Sequence, residues 1–500
     1  MDGTNISPCI LVVFGGTGDL THRKLLPALY NLKHQNWLPA SFAVVALGRR
    51  DKTEDEYRSE AYDSVKKYAR FEVSEYLWKD MRSRLFYKKA DFSDTEAYKE
   101  LDGYLSGMDS RFFTGGNRVF YLAVAPEHFE GIIGSLKATG MVQNTGRAWQ
   151  RAVIEKPFGS SLDSARLLNG KIAEVFDEGN TYRIDHYLGK EMVQSIMGVR
   201  FFNTLFEPLW SNRFIDNIQI SSCETIGIEN RGEYYEKAGA LGDMVQNHML
   251  QILALLAMEP PAGFDAKSVR DEKVKVLRAI KDFTPETVER DAVFGQYSEG
   301  EQGEGKIAAY RQEGRVSPDS ETETFAAIKV QLDNPRWKGV PFYIRTGKRL
   351  AAKTTEIVIQ FRPSANIMSP ANNSVQEPNL LVIKIHPKEE LFVRFNTKKP
   401  GIQEAICPVK MNYCQKCKIC EAETNSPEAY EKLIIDIING DTTLFTRWDE
   451  VEKSWEIVER INAYKGRKTC LFPNYRPGSW GPDEADQLLL KDGRHWWNNL

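Results

Sequence analysis

The stretch CILVVFGGTGDL, residues 9–20, decides the fold of this chain. Its first half, residues 9–14, is a continuous apolar run, which is typical of a strand covered on both faces in a parallel sheet. Three glycines follow within four residues, and leucines then recur at helical spacing between residues 25 and 32. A strand, a glycine turn and a helix in this order favour a dinucleotide site, where backbone N–H groups meet a pyrophosphate.

Two features of this stretch depart from the usual fingerprint. The glycine spacing is not a strict G-x-G-x-x-G, so an ordinary strand-to-helix turn stays open as an alternative. Pro27 is expected to kink or interrupt the helix, because its ring clashes with a carbonyl of the preceding turn.

The second apolar run, residues 42–47, ends in Gly48-Arg49-Arg50-Asp51. In this position NAD-specific folds carry an acidic residue that accepts a hydrogen bond from the ribose 2′-hydroxyl. Here Arg49 comes first, and a guanidinium suits a 2′-phosphate. The order predicts NADP as the cofactor, with NAD as a poorer alternative because Asp51 is also present. A solvated loop charge stays open as the alternative, above all for Arg50.

Further strand-like runs cover residues 84–92, 118–125 and 151–154, each separated by helical patterns. Alternation of this kind predicts a Rossmann-type doubly wound parallel sheet, which binds ligands at the carboxyl ends of its strands. Lys156 follows the last of these runs in the sequence Glu-Lys-Pro. We expect it to meet both cofactor and substrate.

Beyond residue 210 the pattern changes to strands at 214–222, 324–332, 341–346, 356–361, 379–386 and 390–396. The last four follow one another with short breaks, which predicts a large, mainly antiparallel sheet in an α+β domain. Between the first two lies a helix predicted over 239–258, with His248 on its apolar face. A core histidine with one hydrogen bond is the alternative to a catalytic role there.

Residues 183–191, RIDHYLGKE, pack six different charged or polar side chains into nine positions. Lys and His bind phosphate oxygens, Tyr donates a further hydrogen bond, and Asp orients a base. The stretch therefore favours a phosphorylated polyhydroxyl substrate. A charged, solvated helix start is the alternative.

Length and composition limit the remaining choices. At 500 residues we expect two domains, a dinucleotide-binding domain of residues 1–182 and an α+β substrate domain of residues 183–500, because the Rossmann-type pattern closes just before residue 183. The net charge of -3 predicts neither nucleic-acid nor membrane partners, and the longest apolar run, 252–258, is too short to span a bilayer. Seven scattered cysteines do not resemble a disulfide framework, which indicates a reducing, cytoplasmic location.

Seven segments together carry a family resemblance. They are residues 15–25, 117–126, 155–159, 183–191, 239–251, 339–353 and 427–452. In order and over essentially the whole chain, they resemble glucose-6-phosphate dehydrogenase. The resemblance implies hydride transfer from C1 of glucose 6-phosphate to NADP, giving 6-phospho-D-glucono-1,5-lactone, in a homodimer or a dimer of dimers.

The resemblance also assigns roles to residues. It implies His248 as the general base and Asp185 as the carboxylate that pairs with it. Phosphate contacts would come from His186, Tyr187, Lys190 and Lys353, and sugar-hydroxyl contacts from Lys156, Glu224, Asp243 and Lys348. Cofactor contacts would come from Gly15, Thr17, Gly18, Asp19, Leu20, Arg49, Asp91, Phe92 and Lys156.

These roles agree with the chemistry. Oxidation of a C1 hydroxyl needs a proton acceptor, and a neutral imidazole beside a carboxylate has the right basicity. Two alternatives stay open. One is another Rossmann sugar oxidoreductase with a Glu-Lys-Pro turn and an unphosphorylated substrate, and the other is a catalytically silent nucleotide sensor.

One segment departs from the family pattern, the cluster Cys407, Cys414, Cys417 and Cys420. Its C-x2-C-x2-C spacing resembles that of metal ligands. It lacks the usual second pair, so we expect reduced thiols in a surface loop and no metal.

Overall fold

The structure is a computed structural model that describes residues 6–143, 146, 148–302, 305–363, 377–402, 406–414, 426–466, 471–498 and 500. The chain forms two compact units. Unit 1 contains residues 1–189, 263–270 and 427–452, and unit 2 contains residues 190–262, 271–426 and 453–500.

The strands and helices have the following bounds. The strands are β1 Cys9–Phe14, β2 Phe42–Gly48, β3 Leu85–Lys89, β4 Arg118–Leu122, β5 Gln150–Ile154, β6 Thr181–Arg183, β7 Ile215–Cys223, β8 Ala292–Gly295, β9 Gly300–Gln302, β10 Gly305–Ile307, β11 Phe325–Gln331, β12 Pro341–Gly347, β13 Thr354–Phe361, β14 Leu380–His386, β15 Glu390–Lys398 and β16 Ile406–Cys414. The helices are α1 Leu26–His34, α2 Glu54–Tyr68, α3 Glu75–Ser83, α4 Thr95–Phe112, α5 Phe129–Ala138, α6 Leu162–Ala173, α7 Glu191–Phe201, α8 Gly232–Ala240, α9 Leu250–Ala257, α10 Ala266–Ala279, α11 Pro285–Asp291, α12 Ala429–Asn439, α13 Trp448–Lys465 and α14 Glu484–Leu490. Two π-helical segments, Thr21–Leu25 and Leu241–Met249, precede α1 and α9.

Unit 1 is built on a six-stranded sheet in the order β3-β2-β1-β4-β5-β6. Every neighbouring pair in it is parallel. All six residues of β1 are buried, as expected for a central strand covered on both faces. The predicted Rossmann-type sheet is confirmed.

Unit 2 is built on an eight-stranded sheet in the order β16-β15-β14-β13-β7-β12-β11-β8. Neighbouring strands are antiparallel except for β7 and β12, which are parallel. The predicted large, mainly antiparallel sheet is therefore confirmed.

The helix predicted over residues 239–258 differs from the structure at its start. Gly239 adopts φ +56°, outside the helical region, and the chain turns sharply there. A side chain would not fit, because a Cβ on Gly239 would lie 2.3 Å from Glu323 Oε1. The same Glu323 oxygen accepts a 3.1 Å hydrogen bond from the backbone N–H of Leu241, where the next helical segment begins. The helix therefore starts two residues later than the periodicity predicted, with a carboxylate at its amino end.

Pro27 lies just after a change of helix type, but the predicted interruption does not occur, because Leu25 and Leu26 both keep helical φ and ψ. The π-helical segment ends at Leu25, and Pro27 occupies the second position of α1.

Among the described residues, Cys9, Cys223 and Cys407 are free thiols. Burial raises the pKa of Cys9 to about 12 and that of Cys223 to about 11, so both are unreactive. Cys407 and the backbone of Cys414 belong to strand β16, so the predicted surface loop is wrong for this part of the cluster. Cys417 and Cys420, and the side chain of Cys414, lie outside the described residues, so the expectation of no metal stays a prediction. None of the described helices has the length and apolarity to cross a bilayer.

Candidate active site

The residues predicted to bind the cofactor lie at one edge of the sheet in unit 1. Because the strands are parallel, their carboxyl ends meet at a common edge, which we call the dinucleotide edge. The glycine turn follows β1, Arg49 follows β2, and Lys156 follows β5. Asp91 and Phe92 lie just after β3, and the segment from Asp185 to Tyr187 lies just after β6. All the predicted residues of unit 1 thus occur at strand ends on this edge.

The glycine turn is packed too closely for any larger residue. Gly15 has φ +89°, and a Cβ on it would lie 2.2 Å from the carbonyl oxygen of Ala123. A Cβ on Gly16 would lie 2.6 Å from the Ala46 side chain. The N–H of Gly18 donates to the carbonyl of Gly15 at 2.9 Å, which closes the turn. Glycine is therefore required at these positions for the turn to pack against Ala123 and Ala46.

Arg49 lies directly after β2 and is exposed. The nearby Asp91 accepts hydrogen bonds from the Ser93 N–H at 3.0 Å and the Ser93 hydroxyl at 2.8 Å, and these bonds lower the pKa of the Asp91 carboxyl. Arg49 lowers it further by a smaller amount. Asp51, the acidic residue of this loop, pairs with Lys89 at 3.3 Å. The loop therefore presents an exposed guanidinium, while its carboxylate already has a cation beside it.

Lys156 follows a buried carboxyl group that the sequence reasoning missed. Glu155 is 8% exposed and accepts hydrogen bonds from the hydroxyls of Tyr121 at 2.6 Å and Tyr430 at 3.4 Å. Burial raises the pKa of Glu155 to about 7, although the two phenols and the Lys156 N–H lower it. The peptide bond between Lys156 and Pro157 is cis. The Glu-Lys-Pro triplet contained the signal for Glu155, but the sequence reasoning assigned a role only to Lys156.

The segment after β6 is held tightly within unit 1. Asp185 is 2% exposed, and its Oδ1 accepts a 3.0 Å hydrogen bond from the N–H of Tyr187. The rings of His186 and Tyr187 meet edge to face, with centroids 5.0 Å apart. A Cβ on Gly189 would lie 2.9 Å from the carbonyl of Ala429, so the chain passes where only glycine fits. Most residues of this segment are thus buried in a packed loop. The alternative of a charged, solvated helix start does not fit this burial.

In unit 2 three of the predicted residues, Glu224, Lys348 and Lys353, lie at strand ends on one edge. Strand β13 runs antiparallel to its neighbours β7 and β14, and β12 runs parallel to β7. Their registers pair Cys223 with Gly347 and with Thr354, and Thr355 with His386. Glu224, Lys348 and Lys353 are the chain neighbours of these terminal residues. We call this end of the four strands the sugar edge.

Lys348 lies between two carboxylates at the sugar edge. It is 3% exposed, forms an ion pair with Glu224, and lies 3.5 Å from Oδ2 of Asp243. A backbone hydrogen bond also holds Glu224 beside Lys348, since the N–H of Glu224 donates to the carbonyl of Gly347 at 3.0 Å. A buried ammonium needs such partners because burial without them costs several kcal/mol. Three residues predicted to bind sugar hydroxyls therefore form one charged group.

Asp243 and His248 lie on the same π-helical segment and are 5% and 1% exposed. In an α-helix two residues five apart point about 140° away from each other. The i→i+5 hydrogen bonds of a π-helix instead bring such residues toward one side. The α-helical periodicity of the sequence placed His248 on the apolar face and gave no sign of the π-helical turn. This local geometry could not be read from apolar spacing alone.

His386 is a second residue that the sequence reasoning missed. It ends β14 opposite Thr355, and Lys353 lies two residues before Thr355 on the same strand side. Burial lowers the pKa of His386, and the ammonium groups of Lys353 and Lys190 lower it further. Two lysines predicted to bind phosphate therefore lie close to one imidazole. The signal in the sequence was the histidine at the end of an apolar strand, next to Pro387.

Two family models match the chain. The NAD-binding domain of glucose-6-phosphate dehydrogenase matches residues 12–195, and the C-terminal domain of the same enzyme matches residues 197–497. The chain belongs to the glucose-6-phosphate dehydrogenase family.

Relatives with the same family name match this chain over almost its full length. The glucose-6-phosphate 1-dehydrogenase of Bacillus subtilis is 47% identical over 496 residues, which cover 99% of both chains. A solved glucose-6-phosphate dehydrogenase in complex with its substrate glucose 6-phosphate is 33% identical, with a TM-score of 0.88 over 99% of this chain and 100% of that one. The glucose-6-phosphate 1-dehydrogenase from Mycobacterium avium has a TM-score of 0.82 and 32% identity over 99% of each chain. The predicted resemblance is confirmed.

Proposed function

We propose that this chain oxidises C1 of D-glucose 6-phosphate with NADP as hydride acceptor and forms 6-phospho-D-glucono-1,5-lactone. This is the first oxidative step of the pentose phosphate pathway. Membership of the glucose-6-phosphate dehydrogenase family supports the reaction, and the observation that carries it furthest is the sugar edge. There Glu224, Lys348 and Lys353 lie on the adjacent strand ends of one sheet.

His248 is the proposed general base. It is deeply buried in the helix that also carries Asp243. A neutral imidazole takes the proton of the C1 hydroxyl while the hydride leaves C1, so the hydroxyl carbon becomes the lactone carbonyl. Asp185 is the proposed carboxylate that stabilises the resulting imidazolium. When bound, NADP supplies the hydride acceptor.

The remaining proposed substrate contacts divide by chemistry. Lys156, Glu224, Asp243 and Lys348 take the sugar hydroxyls, because carboxylates accept from them and ammonium groups donate to them. Lys190, Lys353, His186 and Tyr187 take the phosphate. The phosphate does not react, so its binding energy serves to position C1.

The preference for NADP over NAD rests on Arg49. The exposed guanidinium follows β2, and charge-assisted bonds to a phosphate are the strong kind of hydrogen bond. The close-packed glycine turn, with Thr17, Asp19 and Leu20 around Gly15 and Gly18, is suited to hold the pyrophosphate.

We also propose a homodimer or a dimer of dimers, a domain division at residues 1–182 and 183–500, and a cytoplasmic location. The assembly rests on the resemblance, the division rests on chain length and on the end of the Rossmann-type pattern, and the location rests on the scattered cysteines. Sedimentation of the purified protein measures the assembly.

One assay tests the reaction. Purified protein is mixed with each pairing of glucose 6-phosphate or glucose with NADP or NAD, and formation of reduced nicotinamide is followed by absorbance. We expect the pairing of glucose 6-phosphate with NADP to give the highest kcat/KM. Equal rates with free glucose would favour the oxidoreductase for unphosphorylated sugars, and no turnover with any pairing would favour the nucleotide sensor.

A further inference from the structure

Tyr234 holds one oxygen of Asp243. Its hydroxyl donates a 3.1 Å hydrogen bond to Oδ1 of Asp243, while Lys348 lies 3.5 Å from Oδ2 of the same carboxylate. The two residues are nine positions apart, and the sharp turn at Gly239 lies between them. The turn lets a side chain of α8 reach the π-helical segment that follows.

The next residue along the chain contacts the other half of this ion pair. Tyr235 is 1% exposed, and the Lys348 ammonium lies 5.5 Å from the centroid of its ring. A cation near an aromatic face is stabilised by the ring quadrupole. Tyr234 and Tyr235 thus hold the carboxylate and the ammonium of the same pair, one by a hydrogen bond and one by its ring.

The phenol of Tyr234 is a permanent donor. Burial raises the pKa of Tyr234 above its usual value, and the charge of Asp243 raises it further. The hydroxyl therefore keeps its proton across the working pH range, and the bond to the carboxylate is charge-assisted.

We propose that Tyr234 is a positioning residue, which fixes the Asp243 carboxylate in the orientation that accepts a hydroxyl of the sugar substrate. The inference rests on the proposed function, because it takes Asp243 as a substrate contact. Without the phenol, the carboxylate rotates about its terminal bond and turns both oxygens toward Lys348. The tighter ion pair then competes with the sugar for both side chains.

The test compares Tyr234→Phe with Tyr297→Phe. The control removes the same kind of bond in the same unit, since Tyr297 donates to Oε1 of Glu313 at 3.0 Å and Glu313 has no proposed contact with substrate. We expect Tyr234→Phe to raise the KM for glucose 6-phosphate by roughly 10-fold to 100-fold, the equivalent of a hydrogen bond to a charged group. The KM for NADP should stay within about two-fold of wild type in both variants.

A double-mutant comparison separates positioning from general loosening of the fold. If Tyr234 acts through Asp243, Tyr234→Phe has no added effect on KM in an Asp243→Asn background. Where turnover is too slow, calorimetric binding of glucose 6-phosphate, at a temperature at which all variants are folded, replaces KM. Equal binding by Tyr234→Phe and Tyr297→Phe, or additive effects with Asp243→Asn, would overturn the inference. Failure of the wild type to oxidise glucose 6-phosphate would instead overturn the proposed function.

Discussion

Tyr121 donates a 2.6 Å hydrogen bond to the carboxyl group of Glu155, one residue before Lys156. The pair lies inside unit 1 on adjacent strands, and Tyr430 adds a second, longer bond to the same oxygen. A carboxyl group in this position resists ionisation, because burial opposes its charge more than the hydrogen bonds favour it. The turn that carries Lys156 is therefore anchored by a group that titrates near neutral pH.

Glu155→Gln should stabilise the protein increasingly as pH rises from 5 to 8. The folded pKa of about 7 lies above the ordinary value of 4.5, so this carboxyl contributes fully below pH 4.5, and its contribution is lost as pH rises through 7. Glutamine keeps the acceptor oxygen and cannot ionise. The limiting gain is on the order of 3 kcal/mol. Thermal unfolding across this pH range measures it, with Glu174→Gln as an exposed control, and a pH-independent difference would contradict the prediction.

His248→Asn should lose about 10²-fold to 10⁴-fold in kcat while it folds and still binds glucose 6-phosphate. Asparagine preserves size and some hydrogen bonding, so a purely structural histidine would be partly rescued. The acid limb of the wild-type pH profile of kcat/KM should also vanish in the variant. Steady-state kinetics and thermal unfolding distinguish a general base from a structural histidine. A kcat within a few-fold of wild type would show that His248 is a core histidine without a catalytic role.

Asp185→Asn should also reduce kcat, because an amide does not stabilise an imidazolium. Combined with His248→Asn, its effect should be much less than additive, since residues that act as one unit share a single loss. Rates of the two single variants and the double variant form the measurement. Additive losses would show that the two residues act independently.

Lys190→Ala should weaken glucose 6-phosphate binding by roughly 10-fold to 100-fold, because a charged contact to the phosphate is lost. The slow oxidation of free glucose should stay nearly unchanged. Lys388→Ala is the matched control, since Lys388 is exposed and lies 4.0 Å from Glu390. Equal losses with both substrates would mean that Lys190 does not contact the phosphate.

Glucose 6-phosphate binding should be accompanied by proton uptake that depends on His386. Burial and two ammonium groups lower its pKa, so the imidazole is neutral at pH 7 in the free protein. A phosphate dianion placed beside Lys190 and Lys353 raises that pKa again, because it favours the imidazolium. Binding should therefore weaken as pH rises through the raised pKa. Calorimetry in two buffers of different ionisation enthalpy counts the protons.

His386→Gln should lower that uptake while His34→Gln, a change in unit 1, leaves it at the wild-type value. The second ionisation of the phosphate, near pH 6, contributes a background that both variants share. Identical proton counts in wild type and His386→Gln would rule the imidazole out.

Arg49→Ala should raise the KM for NADP by roughly 10-fold to 100-fold and leave the KM for NAD nearly unchanged, since only NADP carries the 2′-phosphate. Arg50→Ala, the neighbouring guanidinium, serves as the control and should discriminate less. Kinetics with both cofactors measure the ratio, and equal effects on NADP and NAD would refute the assignment.

The fold was largely predictable from short apolar runs. The run 9–14 became β1 with the same bounds, and the other predicted strands end within about three residues of the observed ones, because buried strands have a distinctive composition. The sequence reasoning did not predict β6, β8, β9, β10 or β16. The turn at Gly239 was not predictable, since its cause is the distant side chain of Glu323. Tertiary contacts of this kind leave no periodic trace in the sequence.

The residues of the candidate site were chosen by resemblance and by residue type, and their roles stay predictions; the residues that support them were not found in the sequence. The hydrogen bond from Tyr234 to Asp243 spans the turn at Gly239, which the sequence did not predict. Glu155 was overlooked because the neighbouring Lys156 was the residue assigned to ligand binding. His386 joins Lys353 through the pairing of β13 with β14, which no local pattern encodes. The sequence thus indicates which side chains carry chemistry, while the sheet register determines which neighbours tune them.

The strand order at the sugar edge separates two kinds of recognition. Lys353 directly precedes β13 and His386 ends β14, whereas Glu224 and Lys348 directly follow β7 and β12. From the proposed roles, we expect substitutions at the ends of β13 and β14 to alter which anion is accepted, and substitutions at the ends of β7 and β12 to alter which pattern of hydroxyl groups is accepted. Selection in the laboratory could therefore change the charged group and the sugar ring one at a time, with libraries confined to two strand ends each.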